Sequence, residues 1–177
     1  MSDAIGKIEL LQFRKSKISN FMPTTTTEPT DRLFGTLPYL LPIVYALPLG
    51  IPFLSKFPLL GIIYVPLQPL LAIYSFPFAG LIIFFILYSA VVRNSKISHF
   101  IRFNTLQAIL IDIALVLLGI VIRLFGVGGG GILIETLSNV AFLGTLAACF
   151  YAMFQSVMGK YAELPTISQA AYAQLPY

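Results

Sequence analysis

Asp112 is the residue in this sequence with the most chemical leverage, because it is a carboxylate set inside an apolar run. It follows Arg102 by ten positions and precedes Arg123 by eleven. At helical rise that places it about 15 Å from either flanking arginine, near the middle of a bilayer. A carboxylate at that depth costs about 2.5–3.5 kcal/mol on insertion scales, and more if isolated. It therefore faces the interior of a helix bundle or keeps its proton. Two roles fit: a polar site lining a pathway, or an interhelical hydrogen bond that fixes packing. Asn104 and Gln107 lie within about 140° of Asp112 on a helical wheel, which gives the segment one polar stripe. In the next apolar segment Glu135 and Asn139 are four apart and share a face. Their plainer reading is a hydrated helix start, and the bolder one is a second stripe facing the first.

The other chemically capable residues point away from catalysis. His99 has no carboxylate or cysteine beside it in the sequence, so it offers no metal set. Cys149 is the single cysteine, lacks any zinc or redox motif, and sits in an apolar segment where packing is its expected role. The run Gly126-Val127-Gly128-Gly129-Gly130-Gly131 lacks the Gly-Lys-Ser/Thr ending of a phosphate loop and reads as a flexible connection. No serine or cysteine has a base partner near it in the sequence, so no catalytic set, cofactor site or enzyme is expected. Gly144 and Ala148 form a small-residue patch of the kind that lets membrane helices approach closely.

The elements that carry these residues follow from composition. Only 10% of the residues are charged and 58% are hydrophobic, with mean hydropathy +0.89. A soluble domain carries about 25% charge, so the outer surface here is expected to face lipid. Residues 1–30 form a flexible basic leader without a secretory signal, and Ile5–Phe21 mixes apolar and basic residues like a helix lying on a membrane surface. Residues 31–160 form the membrane domain and 161–177 a short C-terminal tail. Apolar segments run from Asp31 to about Leu49, broken by Pro38, Pro42 and Pro48, then over Pro77–Val92, Phe103–Ile122 and Ile132–Val157, the last ending at Gly159-Lys160.

Charge decides how the proline-rich stretch Phe57–Tyr74 is read. With four spans, nine of the eleven basic residues fall on one side, and only Lys56 and Arg123 on the other. A fifth span would split them six to five. The expected fold is an all-α polytopic membrane protein with four transmembrane helices. A proline-rich re-entrant or interfacial segment lies on the outer side, or forms a broken extension of the second helix. Both termini share the positive side.

Three stretches carry a family resemblance: Asp31-Arg32-Leu33-Phe34-Gly35-Thr36-Leu37-Pro38-Tyr39-Leu40-Leu41-Pro42, then Val91-Val92-Arg93-Asn94, then Ile101-Arg102-Phe103-Asn104-Thr105-Leu106-Gln107-Ala108-Ile109-Leu110-Ile111-Asp112. With the prolines around Gln68, they resemble the twenty-kilodalton subunit of the translocon at the inner envelope membrane of chloroplasts (the Tic complex) and its cyanobacterial relatives. The resemblance covers about residues 31–165. It implies four helices, both termini on the stromal or cytoplasmic side, and a non-enzymatic role in protein import or insertion across a plastid inner envelope or cyanobacterial plasma membrane. It implies no catalytic residue. Arg93, Asn94, Arg102, Asn104, Gln107 and Asp112 match the family pattern, without a role to carry over. The implied partners are the lipid bilayer, other translocon or membrane-complex subunits, unfolded preproteins, and further copies of the chain. The net charge of +4 is too small to point to nucleic acid. The missing transit peptide points to a plastid-encoded or cyanobacterial protein. Two other functions compete: a small solute or ion carrier using Asp112, weakened by the lack of an internal repeat, and a structural assembly subunit of a larger complex.

Overall fold

A computed structural model describes residues 27–126 and 131–175. The surface-helix reading of Ile5–Phe21, most of the leader and the glycine run after Gly126 lie outside these residues. The described residues contain helices and turns and no strand.

The first apolar segment is broken where its prolines demand. It comprises α1 (Pro29–Thr36), a 3₁₀ turn (Leu37–Tyr39), α2 (Leu40–Tyr45) and α3 (Leu47–Lys56). The two halves bend by 67° at Ala46. Pro48 lacks the N–H that would bond the Val44 carbonyl, which removes a rung of the ladder at the bend. A 3₁₀ helix (Pro58–Tyr64) follows, and the Tyr64 hydroxyl donates to the Ile43 carbonyl at 3.1 Å, tying the proline-rich stretch back to the bend.

Residues 68–74 do not stay with that stretch. They form α4 (Gln68–Tyr74), which pairs with α5 (Ala79–Leu87) and a π-helical turn (Tyr88–Val92) across a bend of 105°. Phe78, just before α5, adopts a left-handed conformation at φ 63°, which is uncommon for a bulky residue. A pair bent this sharply fits both sequence readings of 68–74, a re-entrant segment and a broken extension of the second helix.

Two long helices complete the membrane domain, α6 (His99–Gly126) and α7 (Gly131–Val157). Both are long and apolar enough to cross a bilayer alone, and the two bent pairs pass the same test when each is taken as one span. Ser98 caps α6, its Oγ accepting from the Ile101 N–H at 3.4 Å. Gly159 ends α7 at φ 73°: its N–H bonds the Ser156 carbonyl and the Lys160 N–H reaches the Gln155 carbonyl, both at 2.9 Å. This pattern of helix termination needs a residue without a side chain at the left-handed position. Thr27 donates to the Gly159 carbonyl at 3.2 Å, so the start of α1 and the end of α7 lie side by side.

Residues 161–175 fold back onto the bundle. They include α8 (Ile167–Gln174), whose Ser168 and Ala171 are buried. Ala171 and Leu175 pack with Phe103, Leu106 and Ile109 of α6. The larger core gathers Tyr39, Ile43, Ala108, Ile111, Phe142 and Cys149 between the first bent pair, α6 and α7. Cys149 thus packs as expected.

Candidate functional site

The polar residues of α6 divide between two places. Asn104 and Gln107 are fully buried in a hydrogen-bonded clasp. The hydroxyl of Tyr39, from the first bent pair, lies 2.8 Å from Asn104 Oδ1 and 2.6 Å from Gln107 Oε1. A hydroxyl carries one hydrogen, so both carbonyl oxygens share it. Each amide directs its nitrogen elsewhere. Asn104 Nδ2 donates to the Phe100 carbonyl at 2.8 Å, and Gln107 Nε2 donates to Ser168 Oγ at 2.8 Å and the Ala162 carbonyl at 3.2 Å. Ser156 of α7 donates to Asn104 Oδ1 at 2.9 Å. Ser168 Oγ also accepts from the Leu164 N–H and donates to the Ala162 carbonyl at 3.0 Å. Five side chains therefore bind the first bent pair, α6, α7 and the C-terminal segment to one another. In lipid such bonds replace water that is not there.

Asp112 lies on the same helix but apart from the clasp. It lines a cavity of about 510 Å³ with Tyr45, Tyr74, Phe78, Phe84 and Ile113. Its Oδ1 is buried and has no hydrogen-bond partner. The rings of Tyr45 and Tyr74 meet edge to face at 6.4 Å on the cavity wall. Apart from the two tyrosine hydroxyls the named walls are apolar, so the carboxyl group is the cavity's charged feature.

The two expected stripes do not face each other. Glu135 pairs with Lys56 at the end of α3, and both side chains are largely exposed. Asn139 holds a buried Oδ1 without a partner. The reason is the antiparallel hairpin: α7 begins where α6 ends, so Glu135 and Asn139 lie at the level of the last turns of α6. Asn104 is instead met by Ser156, near the end of α7.

The remaining family-pattern residues build the turn between α5 and α6. Asn94 Oδ1 accepts from the Lys96 N–H at 3.0 Å, and the Ile97 N–H bonds the Asn94 carbonyl at 3.1 Å. Arg102 Nε donates to the Val92 carbonyl at 2.8 Å, closing the turn from the α6 side. Arg93 is exposed at its apex. His99 Nδ1 lies 3.0 Å from the Tyr161 hydroxyl and Nε2 3.4 Å from the Leu175 carbonyl, which anchors the C-terminal segment. Among the described residues no group of three or more His, Cys, Asp or Glu is gathered to hold a metal.

Tyr39, Ser156 and Ser168 are the clasp members that sequence reasoning did not single out. Tyr39 does lie in the first family-like string, between Pro38 and Pro42. Ser156 and Ser168 carry no such signal. Gly144 was expected at a helix contact, yet an added Cβ there would meet nothing within 4 Å. The close approach is made at Gly50, where a Cβ would run into the Phe142 ring.

A family model described as "Chloroplast import apparatus Tic20-like" matches residues 6–171. A Tic20 family protein from Synechocystis sp. is 51% identical over 156 residues, covering 86% of this chain and 98% of that protein. Protein TIC 20-II, chloroplastic, from Arabidopsis thaliana is 32% identical over 156 residues, covering 85% of this chain and 75% of that protein. The Tic20 family protein Ycf60 from Gracilaria tenuistipitata var. liui is 38% identical over 156 residues, covering 82% and 75%.

Proposed function

The chain belongs to the Tic20-like family of the chloroplast import apparatus, and from that membership we propose that it is a non-enzymatic membrane subunit that helps polypeptides cross or enter a membrane. The membrane is a plastid inner envelope or a cyanobacterial plasma membrane. The observation that carries this reading is the match to a cyanobacterial family member along 98% of that relative's length. Each bent pair counts as one span in this reading, giving four, with both chain ends on the stromal or cytoplasmic side. Two contacts support that arrangement. Thr27 meets Gly159 at one end of the bundle, together with the Arg93 turn and Lys160. Lys56 meets Glu135 at the other.

In this reading the clasp of Tyr39, Asn104, Gln107, Ser156 and Ser168 sets the bundle's geometry rather than lining a channel, because its members are buried and bonded to one another. Assembly with further subunits is the second reading, favoured by the unpartnered oxygen of Asp112.

The test places a photo-crosslinking residue at Gln68 while a tagged preprotein is moved into membranes containing the chain. Transport is expected to give an adduct with the passenger. Adducts with fixed neighbours alone would replace the transport reading by the assembly reading.

A further inference from the structure

Asp112 stands at the middle of the 28-residue helix α6. A helix of that length spans about 42 Å, so the carboxyl group lies near the centre of any bilayer it crosses. Charged groups at that depth are costly and pair with one another or with backbone carbonyls. This one has a buried oxygen with no bond.

The chain's described cations do not answer it. Lys56 is held by Glu135, Arg102 by the Val92 carbonyl and Arg32 by the Thr27 carbonyl. Arg93, Lys96, Arg123 and Lys160 lie in turns or near helix ends. A second copy of the chain, judged by the same residues, brings no mid-depth cation either.

The cavity before Asp112 has an opening. Its walls are α2, α6 and the two arms of the α4–α5 bend, with Phe76 and Phe78 exposed at its rim. Phe78 adopts its left-handed conformation within the 105° bend. Strain of that kind marks a position that the surroundings enforce. The apolar walls suit a hydrocarbon surface, and the carboxyl group suits a single cation on it. A lipid headgroup does not reach this depth. A passenger of variable sequence does not present a cation at one fixed depth, whereas a resident helix of fixed sequence does.

We infer that a transmembrane helix of a resident partner subunit docks across the mouth of the Asp112 cavity and places one lysine or arginine side chain in it, against Asp112 at mid-membrane depth. The inference rests on the reading of this chain as one subunit among others.

The test uses the full chain in vesicles of phosphatidylcholine and phosphatidylglycerol. The probe is a synthetic leucine–alanine transmembrane helix with one central lysine, compared with the same helix carrying leucine there. Energy transfer between labelled chain and labelled helix reports association. The lysine helix is expected to bind about tenfold more tightly. Asp112→Leu is expected to equalise the two, and moving the lysine two turns toward either end is expected to abolish the gain. Equal binding to the unaltered chain overturns the inference without any variant. A preference that survives Asp112→Leu overturns it as well.

A second arm works in native membranes, with a photo-crosslinking residue at Ile113 on the cavity wall. An adduct to one resident membrane protein, formed without a passenger and lost in Asp112→Leu, is the expected result. An adduct formed only during preprotein transit assigns the cavity to the passenger and overturns the inference. The Gln68 transport experiment reads a different outcome, so either proposal can fail while the other stands.

Discussion

The hydroxyl of Tyr39 lies 2.6 Å from Gln107 Oε1, joining the first bent pair to α6 across 68 residues of sequence. Gln107 passes the connection on, since its amide nitrogen reaches Ser168 in the C-terminal segment. One glutamine thus couples the first bent pair to the C-terminal segment, at full burial.

Tyr39→Phe removes the donor to Gln107 Oε1 and one of two donors to Asn104 Oδ1, which keeps Ser156. Leaving a buried acceptor unpaired costs about 1–3 kcal/mol. Unfolding in detergent micelles should show that loss. Gln107→Leu combined with Tyr39→Phe should cost less than the two changes summed, because the orphaned oxygen is gone. Strict additivity would show that the two groups are not coupled.

Gly50→Ala and Gly144→Ala should separate cleanly. A Cβ at Gly50 would approach Phe142 Cζ to 2.7 Å, so the buried Phe142 ring or α3 itself must shift. Overpacking of this kind costs about 1–3 kcal/mol. Gly144 has open space around it and alanine favours a helix, so its substitution should be neutral or mildly stabilising. Phe142→Leu should recover part of the Gly50→Ala loss. Equal losses at the two glycines would contradict this packing.

The long spans were legible because length and termination are local properties. Arg102, Arg123 and the Gly159-Lys160 pair bracket apolar runs of bilayer length, and Gly159 takes the left-handed turn that a helix end wants. Asp112 at mid-helix was legible for the same reason. The partners of each polar group were not. Placing Glu135 and Asn139 opposite Asn104 ignored the hairpin, which sets the beginning of α7 against the end of α6. Gly144 looked like a contact residue because spacing reveals a face but not its direction. The C-terminal segment read as a tail because Ser168, Gln169 and Gln174 look soluble, while the buried members of α8, Ser168 and Ala171, are small. Tyr39 lay hidden in a segment that its prolines break.

Ser168→Ala should loosen the C-terminal segment before it affects the rest. The hydroxyl receives the Leu164 N–H and one Gln107 N–H, and donates to the Ala162 carbonyl. Alanine leaves the Leu164 N–H without that acceptor, at a cost of about 1–3 kcal/mol. Proteolysis near residues 160–166 should accelerate, and hydrogen exchange in α8 should rise while α6 stays protected. Unchanged exchange in α8 would mean that apolar packing of Ala171 and Leu175 alone holds the segment.

Lys56→Cys and Lys96→Cys, each in a Cys149→Ala background, should be labelled from opposite faces of a sealed membrane. Lys56 follows the 67° bend at the end of α3, and Lys96 lies in the turn before α6. If each bent pair crosses once, the α4–α5 pair is the single crossing between the two positions, so 56 and 96 lie on opposite faces. Losing Lys56 removes its pair with Glu135, but both side chains are exposed, at 62% and 39%. Exposed pairs contribute about 0–1 kcal/mol, so the variant should fold and the labelling should report topology. Labelling of both positions from one face would mean that the α4–α5 pair enters and leaves on the same side. The basic residues around Arg93 would then sit opposite Arg32, against the charge bias that orients membrane helices.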